Sequence, residues 1–412
     1  MKSPFRGFGR PNTMPDLATR ALDGVRVVEI ANERTHYCGK VLAGLGADVL
    51  LVEPPGGAPT RGAEPLDEAS VGFAYTNAGK RSITLDLDDP GDVRMFRRIL
   101  QQTDILLTGD VLPILKNRGL TYGELCQENE SLVMVSITPF GLTGPLAASD
   151  APDLVCLAQG GLLYLGGYAD GAPIAPPQEQ ALFAGGSFGS VAALIALLHA
   201  EATGEGQLAD VSLQQCVTMA LENSVQFWEL EQHVRQRTGG AQKNAGTGLF
   251  TTADGYVYVL AAGIGGNRFW PNLVRWMREE GVDGVDALEG DRWGDRDFIA
   301  SDEAIKTFSS IFSVYVASRS KNEIYERSQH YRVPCAPVNT TSDVLQNEQL
   351  RFRGFFTEIE LAPGTVAEAP GAPYLLSRTP WTGGLRAPNP GEHTSAVLAE
   401  LAAWEHQTAG IA

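Results

Sequence analysis

Cysteine is scarce in this chain and never closely spaced. The five thiols, Cys38, Cys126, Cys156, Cys216 and Cys335, form no C-x-x-C pair, which argues against a zinc ribbon or a disulfide framework. Scattered thiols of this kind fit a reducing cytosol, so a cytoplasmic protein is expected. Basic charge is short as well: 32 Lys and Arg stand against 49 Asp and Glu, a net charge of −17. Such a field repels nucleic acid and anionic lipid, and neither is expected as a partner. No apolar run reaches the roughly 18 uninterrupted residues of a membrane span. The nearest, Val191 to Ala200, is short and carries His199. The amino terminus, Met1 to Asp16, mixes Lys2, Arg6 and Arg10 with Gly and Pro and has no apolar centre. It reads as a loose arm and not as a secretory signal. No metal-ligand cluster, internal repeat or low-complexity tract is visible.

What is present is an ordinary globular composition, 43% hydrophobic and 20% charged, spread over 412 residues. That is too much chain for one simple core, and two domains are expected. Leu22 to Ile30 has the β-branched density of a buried strand, Tyr37 to Leu45 reads as a helix, and Asp48 to Glu53 as a second strand. Strand, helix, strand with short glycine-marked joints is a βαβ unit and implies a parallel sheet. The pattern recurs with strands at Ser82–Leu87, Asp104–Leu107 and Leu132–Ile137 and helices at Asp92–Thr103 and Tyr122–Asn129. The fold class is therefore α/β, with a Rossmann-like large domain. It lacks G-x-G-x-x-G, so the architecture gives no licence to infer a nicotinamide cofactor.

Ala184 to Glu201 is apolar almost throughout and is expected to be a helix buried on all sides. Asp210 to Leu213 is expected to open another long helical stretch reaching about Gln236. Leu249–Thr252 and Tyr256–Leu260 flank Ala253-Asp254-Gly255 as a β-hairpin. These signals divide the chain into a large domain over residues 1–237, a smaller α+β domain over 238–335, and a return segment over 336–412.

Several motifs occur in a fixed order: Leu45-Gly46-Ala47-Asp48-Val49 with Val52-Glu53, Thr76-Asn77-Ala78-Gly79-Lys80-Arg81-Ser82, and Thr138-Pro139-Phe140-Gly141-Leu142-Thr143-Gly144-Pro145. Asp153, Thr203-Gly204-Glu205-Gly206-Gln207, Asp254-Gly255-Tyr256-Val257 and Val333-Pro334-Cys335-Ala336-Pro337-Val338 follow. Together they resemble the family III CoA-transferases, the group of formyl-CoA transferase, carnitine CoA-transferase and α-methylacyl-CoA racemase. The resemblance implies an interlocked dimer and a CoA or acyl-CoA substrate held on the large domain, with no tightly bound cofactor. It also implies a carboxylic acid as acceptor and a glycine-rich loop closing over the site.

The same resemblance places a nucleophilic aspartate at the head of the helix that ends in Thr203-Gly204. Here that position is Leu182. The family's chemistry needs a carboxylate to attack the donor thioester, form an acyl-aspartyl anhydride and release the CoA thiolate. Leucine has no lone pair to offer. Racemase members use a histidine just before the position of Asp153, and this chain has Pro152 there. The expected phosphate-contact run after the strand near Leu107 reads Thr108-Gly109-Asp110, and Pro54 follows Glu53 where some members carry arginine.

Candidate replacements for the lost carboxylate are Glu179, Asp153 and Asp170; Asp170 also reads as a turn residue and Asp153 as a helix cap. Arg34, His36, Lys80 and Arg81 are the candidate CoA contacts, with solvated surface charge as the plainer alternative. Gly246 and Gly248, in Asn244-Ala245-Gly246-Thr247-Gly248, match the lid loop, with a simple hairpin entry as the alternative. Cys156 and Cys216 are expected in the core. Phe227, Trp228 and Trp270 are expected either in the core or lining an aromatic acyl pocket.

Three functions are consistent with this pattern. One is a subunit of a heteromeric CoA-transferase, paired with a homologous aspartate-bearing chain as in two-subunit members such as benzylsuccinate CoA-transferase. The second is an active homodimeric transferase or lyase using a displaced carboxylate. The third is a non-catalytic acyl-CoA-binding scaffold.

Overall fold

A computed structural model describes residues 20–62, 67–240, 242–262 and 269–409. The amino-terminal arm expected from Met1 to Asp16 lies outside these residues. The chain divides into two compact units. The larger takes residues up to 163, 175–234 and from 352 onward; the smaller takes 164–174 and 235–351.

The larger unit is built on six strands: β1 (Arg26–Ile30), β2 (Asp48–Glu53), β3 (Arg81–Thr84), β4 (Ile105–Thr108), β5 (Val133–Thr138) and β6 (Leu208–Ser212). They pair in the order β3-β2-β1-β4-β5-β6, every pair parallel. Strand β5 is buried along its whole length, the signature of a strand covered on both faces. The helices follow chain order: α1 (Glu33–Gly44), α2 (Glu68–Asn77), α3 (Pro90–Leu100), α4 (Leu112–Arg118), α5 (Tyr122–Leu125), α6 (Asp153–Gln159), α7 (Leu162–Leu165), α8 (Gln180–Thr203), α9 (Leu213–Met219) and α10 (Glu222–Glu231). Local chemistry sets their ends. Asn32 caps α1 through the Arg34 amide, and Asp89 caps α3 with Pro90 in its first turn. Gly204 closes α8 at a φ of 80°, a left-handed conformation that favours glycine.

Two expectations are corrected here. Asp210 to Leu213 does not open a helix; residues 208–212 form β6, in register with β5 from Met134↔Leu208 to Thr138↔Ser212. The Asp210 carboxylate accepts from the Leu142 amide at 2.9 Å, and Ser212 then caps α9. Pairing with a distant strand outweighs the local helical pattern.

Helix α8 is not buried all round either. Gly185, Gly186, Gly189, Ala193, Ala196 and Ala200 face inward, while Phe188, Val191, Ile195 and Leu198 are exposed, Ile195 by 62% and Leu198 by 66%. This helix, 24 residues long, is also apolar enough by length and composition to cross a membrane, and half of its apolar window is buried. A buried half is what a core helix of a folded domain requires.

The inward glycines let α8 lie close to α1. A Cβ on Gly186 would stand 2.8 Å from the Tyr37 Cβ and 3.0 Å from the Cys38 amide nitrogen. Gly186→Ala is therefore expected to destabilise the protein by about 1–3 kcal/mol by overpacking, despite alanine's better helix propensity. Urea denaturation checks this; a variant as stable as the parent would show that α1 and α8 can separate freely.

The smaller unit carries an antiparallel sheet of β7 (Thr247–Thr252), β8 (Gly255–Leu260) and β9 (Cys335–Val338). The expected domain boundary at residue 335 falls inside β9, and the unit continues to Arg351. The expected hairpin is present, turning at Ala253-Asp254. Its core is aromatic: Trp270 stacks on Trp293 at 4.5 Å, and Phe308 stacks on Phe312 at 5.2 Å. Trp270 donates its indole N–H to the Leu288 carbonyl and is core, not an acyl-pocket wall. All five cysteines are free, and Cys156 and Cys216 are buried as expected.

Candidate functional site

In an open parallel sheet the crevice for a ligand lies outside the carboxyl ends of the strands, where the strand order reverses. Here that point lies between β1 and β4. Asn32 leaves β1 and Gly109 leaves β4, packed so closely that a Cβ on Gly109 would meet the Asn32 amide at 2.5 Å. Arg34, in the first turn of α1, reaches across. Its Nη1 donates to the Gly109 carbonyl at 2.9 Å, and its Nη2 donates to the Ala151 carbonyl at 3.4 Å and pairs with Asp150. Its Nε is buried with no hydrogen-bond partner among the described residues.

The chain runs from Asp150 into α6, whose first residue is Asp153. One carboxylate oxygen of Asp153 accepts from the amides of Ala181 at 2.7 Å and Leu182 at 3.0 Å. It satisfies the free N–H groups at the head of α8, a capping role supplied from another helix. Burial pushes the Asp153 carboxyl upward, against the pull of those two amides. Leu182 itself is 5% exposed and belongs to the core with Ile137, Cys156, Leu157 and Leu213. Glu179 takes the N-cap position of α8 without making a side-chain cap. Partial burial and the nearby carboxylates of Glu33, Asp153 and Glu68 push its carboxyl upward. Asp170 is an exposed turn residue of the smaller unit, whereas Leu182 belongs to the larger one.

The expected CoA contacts do not gather in one place. His36 and Lys80 sit together in a sealed network around Glu29. The His36 Nδ1 lies 2.8 Å from one Glu29 oxygen and its Nε2 lies 3.0 Å from the Thr60 hydroxyl. The Lys80 ammonium donates to the other Glu29 oxygen at 2.6 Å, to Asn77 at 2.7 Å and to the His36 carbonyl at 3.0 Å. All of its donors are used and its side chain is fully buried, so Lys80 is a structural cation and not a phosphate contact. Burial holds the His36 imidazole below its ordinary range even though Glu29 favours its charged form.

Arg81 lies apart from both groups, paired with Asp48 at 3.0 Å and Glu400 at 2.7 Å beside the amino ends of the strands. The glycines of the expected lid loop pack within their own unit. Gly246 and Gly248 are buried in the smaller unit. The Ala261 amide donates to the Gly246 carbonyl at 2.7 Å, and a Cβ there would stand 2.9 Å from the Trp270 ring.

Some members of the site were not visible in the sequence. Arg118 reaches from α4 to neutralise Asp110 at 2.9 Å, so the acid in Thr108-Gly109-Asp110 is balanced from a neighbouring helix. Arg61 holds Glu53 through both oxygens at 2.6 Å. Lys40 is buried, donates to the Tyr75 carbonyl at 2.7 Å and lies 3.8 Å over that ring; burial lowers it to about 8. Its spacing of four from His36 on one helix was the available signal. For Arg34 the signal was a cation in the first turn of a helix, where the dipole disfavours it. Trp228 is 50% exposed on α10, so the core expectation fails for it.

Comparison with known proteins agrees with this architecture. The profile of CoA-transferase family III matches residues 22–394. The subunit BbsE of succinyl-CoA:(R)-benzylsuccinate CoA-transferase from Thauera aromatica is 40% identical over 384 residues, which is 91% of this chain and 93% of that protein. Succinate–glutarate CoA-transferase from Agrobacterium fabrum is 30% identical over 404 residues, covering 95% and 97% of the two chains. The crystal structure of a CaiB/BaiF family protein from Brucella suis superposes with a TM-score of 0.81 at 26% identity, covering 93% of this chain and 99% of that one. A profile match over most of the chain, a like fold and the parallel sheet whose order reverses between β1 and β4 agree: this chain belongs to the family III CoA-transferases.

Proposed function

We propose that this chain is the aspartate-lacking subunit of a heteromeric CoA-transferase, working with a homologous subunit that carries the nucleophile. The observation that carries this reading is the head of α8. Leu182 packs into the core there, and Asp153 is already committed to the amides of Ala181 and Leu182. Two helix amides on one oxygen fix Asp153 as the cap of α8 and draw off carboxylate charge, which makes it a poor nucleophile. The relative from Thauera aromatica is itself named as a subunit, and two Chloroflexus aurantiacus relatives are named as alpha and beta subunits of one enzyme. The exposed stripe Phe188, Val191, Ile195 and Leu198 supports a partner surface on α8, since apolar area of this kind marks association sites. The assembly is taken to be interlocked, as in the family.

The relatives' names carry succinyl-CoA and dicarboxylic acids. We accordingly assign a dicarboxylyl-CoA donor such as succinyl-CoA and a dicarboxylic acid acceptor. CoA is a substrate here and not a resident cofactor, and its place is the crevice at the carboxyl ends of β1 and β4. The cytoplasm is the compartment that fits five free thiols.

Expression of the chain alone tests the proposal. The purified protein is expected to move no CoA from succinyl-CoA to benzylsuccinate, and activity is expected once an aspartate-bearing homologue is co-expressed. Hydroxylamine trapping during turnover is expected to label that homologue only. Robust transfer by this chain alone, with label on Glu179 or Asp153, would replace the proposal with a displaced carboxylate. Heat of CoA binding with no transfer in any combination would leave an acyl-CoA-binding scaffold.

A further inference from the structure

Arg34 is buried to 7% exposure at the positive end of a helix, an expensive place for a guanidinium. Its hydrogen bonding is nevertheless incomplete. Nη1 and Nη2 have partners, while Nε is buried with none among the described residues. The counter-ion is weakly placed. A single oxygen of Asp150 serves Nη2, and that same oxygen also accepts the Ala151 amide at 2.9 Å. The Asp150 side chain is 67% exposed, in the loop between β5 and α6. One edge of the guanidinium, Nε with Nη2, is thus half used. That edge is the one a planar carboxylate engages with both oxygens at once.

The position suits a substrate group. Arg34 touches Ala151, two residues before the Asp153 that holds the Leu182 amide. The neighbourhood is otherwise acidic: Glu33, Glu68 and Asp153 bear on Glu179, and Glu33, Asp150 and Asp153 bear on Cys156. Such a field disfavours multiply charged groups, so the phosphates of CoA belong to another part of the crevice, and it admits a single negative group only where a cation receives it.

The geometry points to Arg34 as the receptor for the second carboxylate of a dicarboxylic substrate, with Asp150 as an internal carboxylate that occupies the guanidinium until the ligand displaces it. The inference rests on the dicarboxylate reading proposed above. In the occupied state the ligand bridges Nε and Nη2, the unpartnered N–H gains its acceptor, and Asp150 moves fully into water. Arg34 then selects substrates by a second acid group and takes no part in bond making.

Calorimetry on the full-length protein with succinate and, separately, with CoA tests this. Asp150→Asn removes the competing charge at an exposed position, and succinate is expected to bind about tenfold tighter with CoA unchanged. Arg34→Gln is expected to weaken succinate by about tenfold or more while CoA still binds. Succinate binding that is unchanged or weaker in Asp150→Asn would overturn the proposal. So would an Arg34→Gln variant that loses CoA and keeps succinate, which would make Arg34 a CoA contact and leave the transferase reading standing. A parent protein that binds CoA but not succinate overturns this inference alone; one that binds neither overturns the transferase reading with it.

Discussion

Replacing Glu29 with alanine is expected to cost about 3–5 kcal/mol of stability, the penalty for leaving a buried ion without its partner. Glu29 lies on β1 with no exposed surface and holds Lys80 at 2.6 Å and His36 at 2.8 Å. Without it the Lys80 ammonium keeps only the neutral oxygens of Asn77 and His36, inside a fully buried site. The backbone leaves no room for an alternative. A Cβ on Gly39 would stand 2.0 Å from a Glu29 oxygen, so α1 is shaped around this carboxylate. Urea denaturation followed by circular dichroism measures the loss. A Glu29→Ala variant of unchanged stability would show that Lys80 is neutral in the folded chain.

The same network gives the protein an acid limit. Burial alone would raise the Glu29 carboxyl, but Lys80 and His36 outweigh it and hold it at about 2, against 4.5 for an unperturbed glutamate. As pH falls below 4.5 the unfolded chain takes up this proton before the folded one does, so stability drains away toward pH 2. His36, held below its ordinary 6.5 by burial, acts in the same direction. The unfolded chain gains its proton first, and the loss begins as pH falls through 6.5. Stability is therefore expected to be full above that value and to decline on acidification, most steeply below 4.5. Glu29→Gln should flatten the lower part of this curve.

Leu182→Asp is the second variant with a large expected effect, because on the function proposed above it puts a carboxylate where the nucleophile is missing. The position is not waiting for it. Leu182 is buried in the core cluster that also holds Ile137, Cys156, Leu157 and Leu213, and the amide that would steady a new carboxylate already serves Asp153. A carboxylate placed there loses its hydration beside a second acid, at a cost of about 3 kcal/mol or more. The expected result is a destabilised protein with no transferase activity of its own and no hydroxylamine-labelled aspartate. A stable Leu182→Asp variant that transfers CoA would show instead that the crevice is intact and that only the nucleophile has been lost. That outcome would move the chemistry back onto this chain.

The alternation of strands and helices in the first 140 residues was legible because parallel strands buried on both faces must be apolar throughout, and each joint carries its own cap or glycine. Strand β6 was not legible. Leu208-Ala209-Asp210-Val211-Ser212 is short and half polar, and only its pairing with β5 makes it a strand. The charged residues divide in the same way. Lys80 reads as a surface turn charge because its partner Glu29 is 51 positions away, and nothing local announces the burial of both. Arg81, its neighbour, points to a different set of partners, Asp48 and Glu400. Gly246 and Gly248 suggest a lid by composition, yet glycine serves equally well where backbone must pass close to an aromatic ring, as Gly246 does against Trp270.

By itself, then, the sequence determined the α/β class and the family, and it placed a leucine at residue 182, since each depends on residue types at fixed spacing along one chain. Tertiary structure alone decided which charges are sealed in and which are poised. It gave Lys80 to Glu29, Asp153 to the amides of α8, and Arg34 to an exposed Asp150. The physical reason is that the cost of a charge is set by its burial and by the partner folded against it, and neither quantity is a local property of the chain.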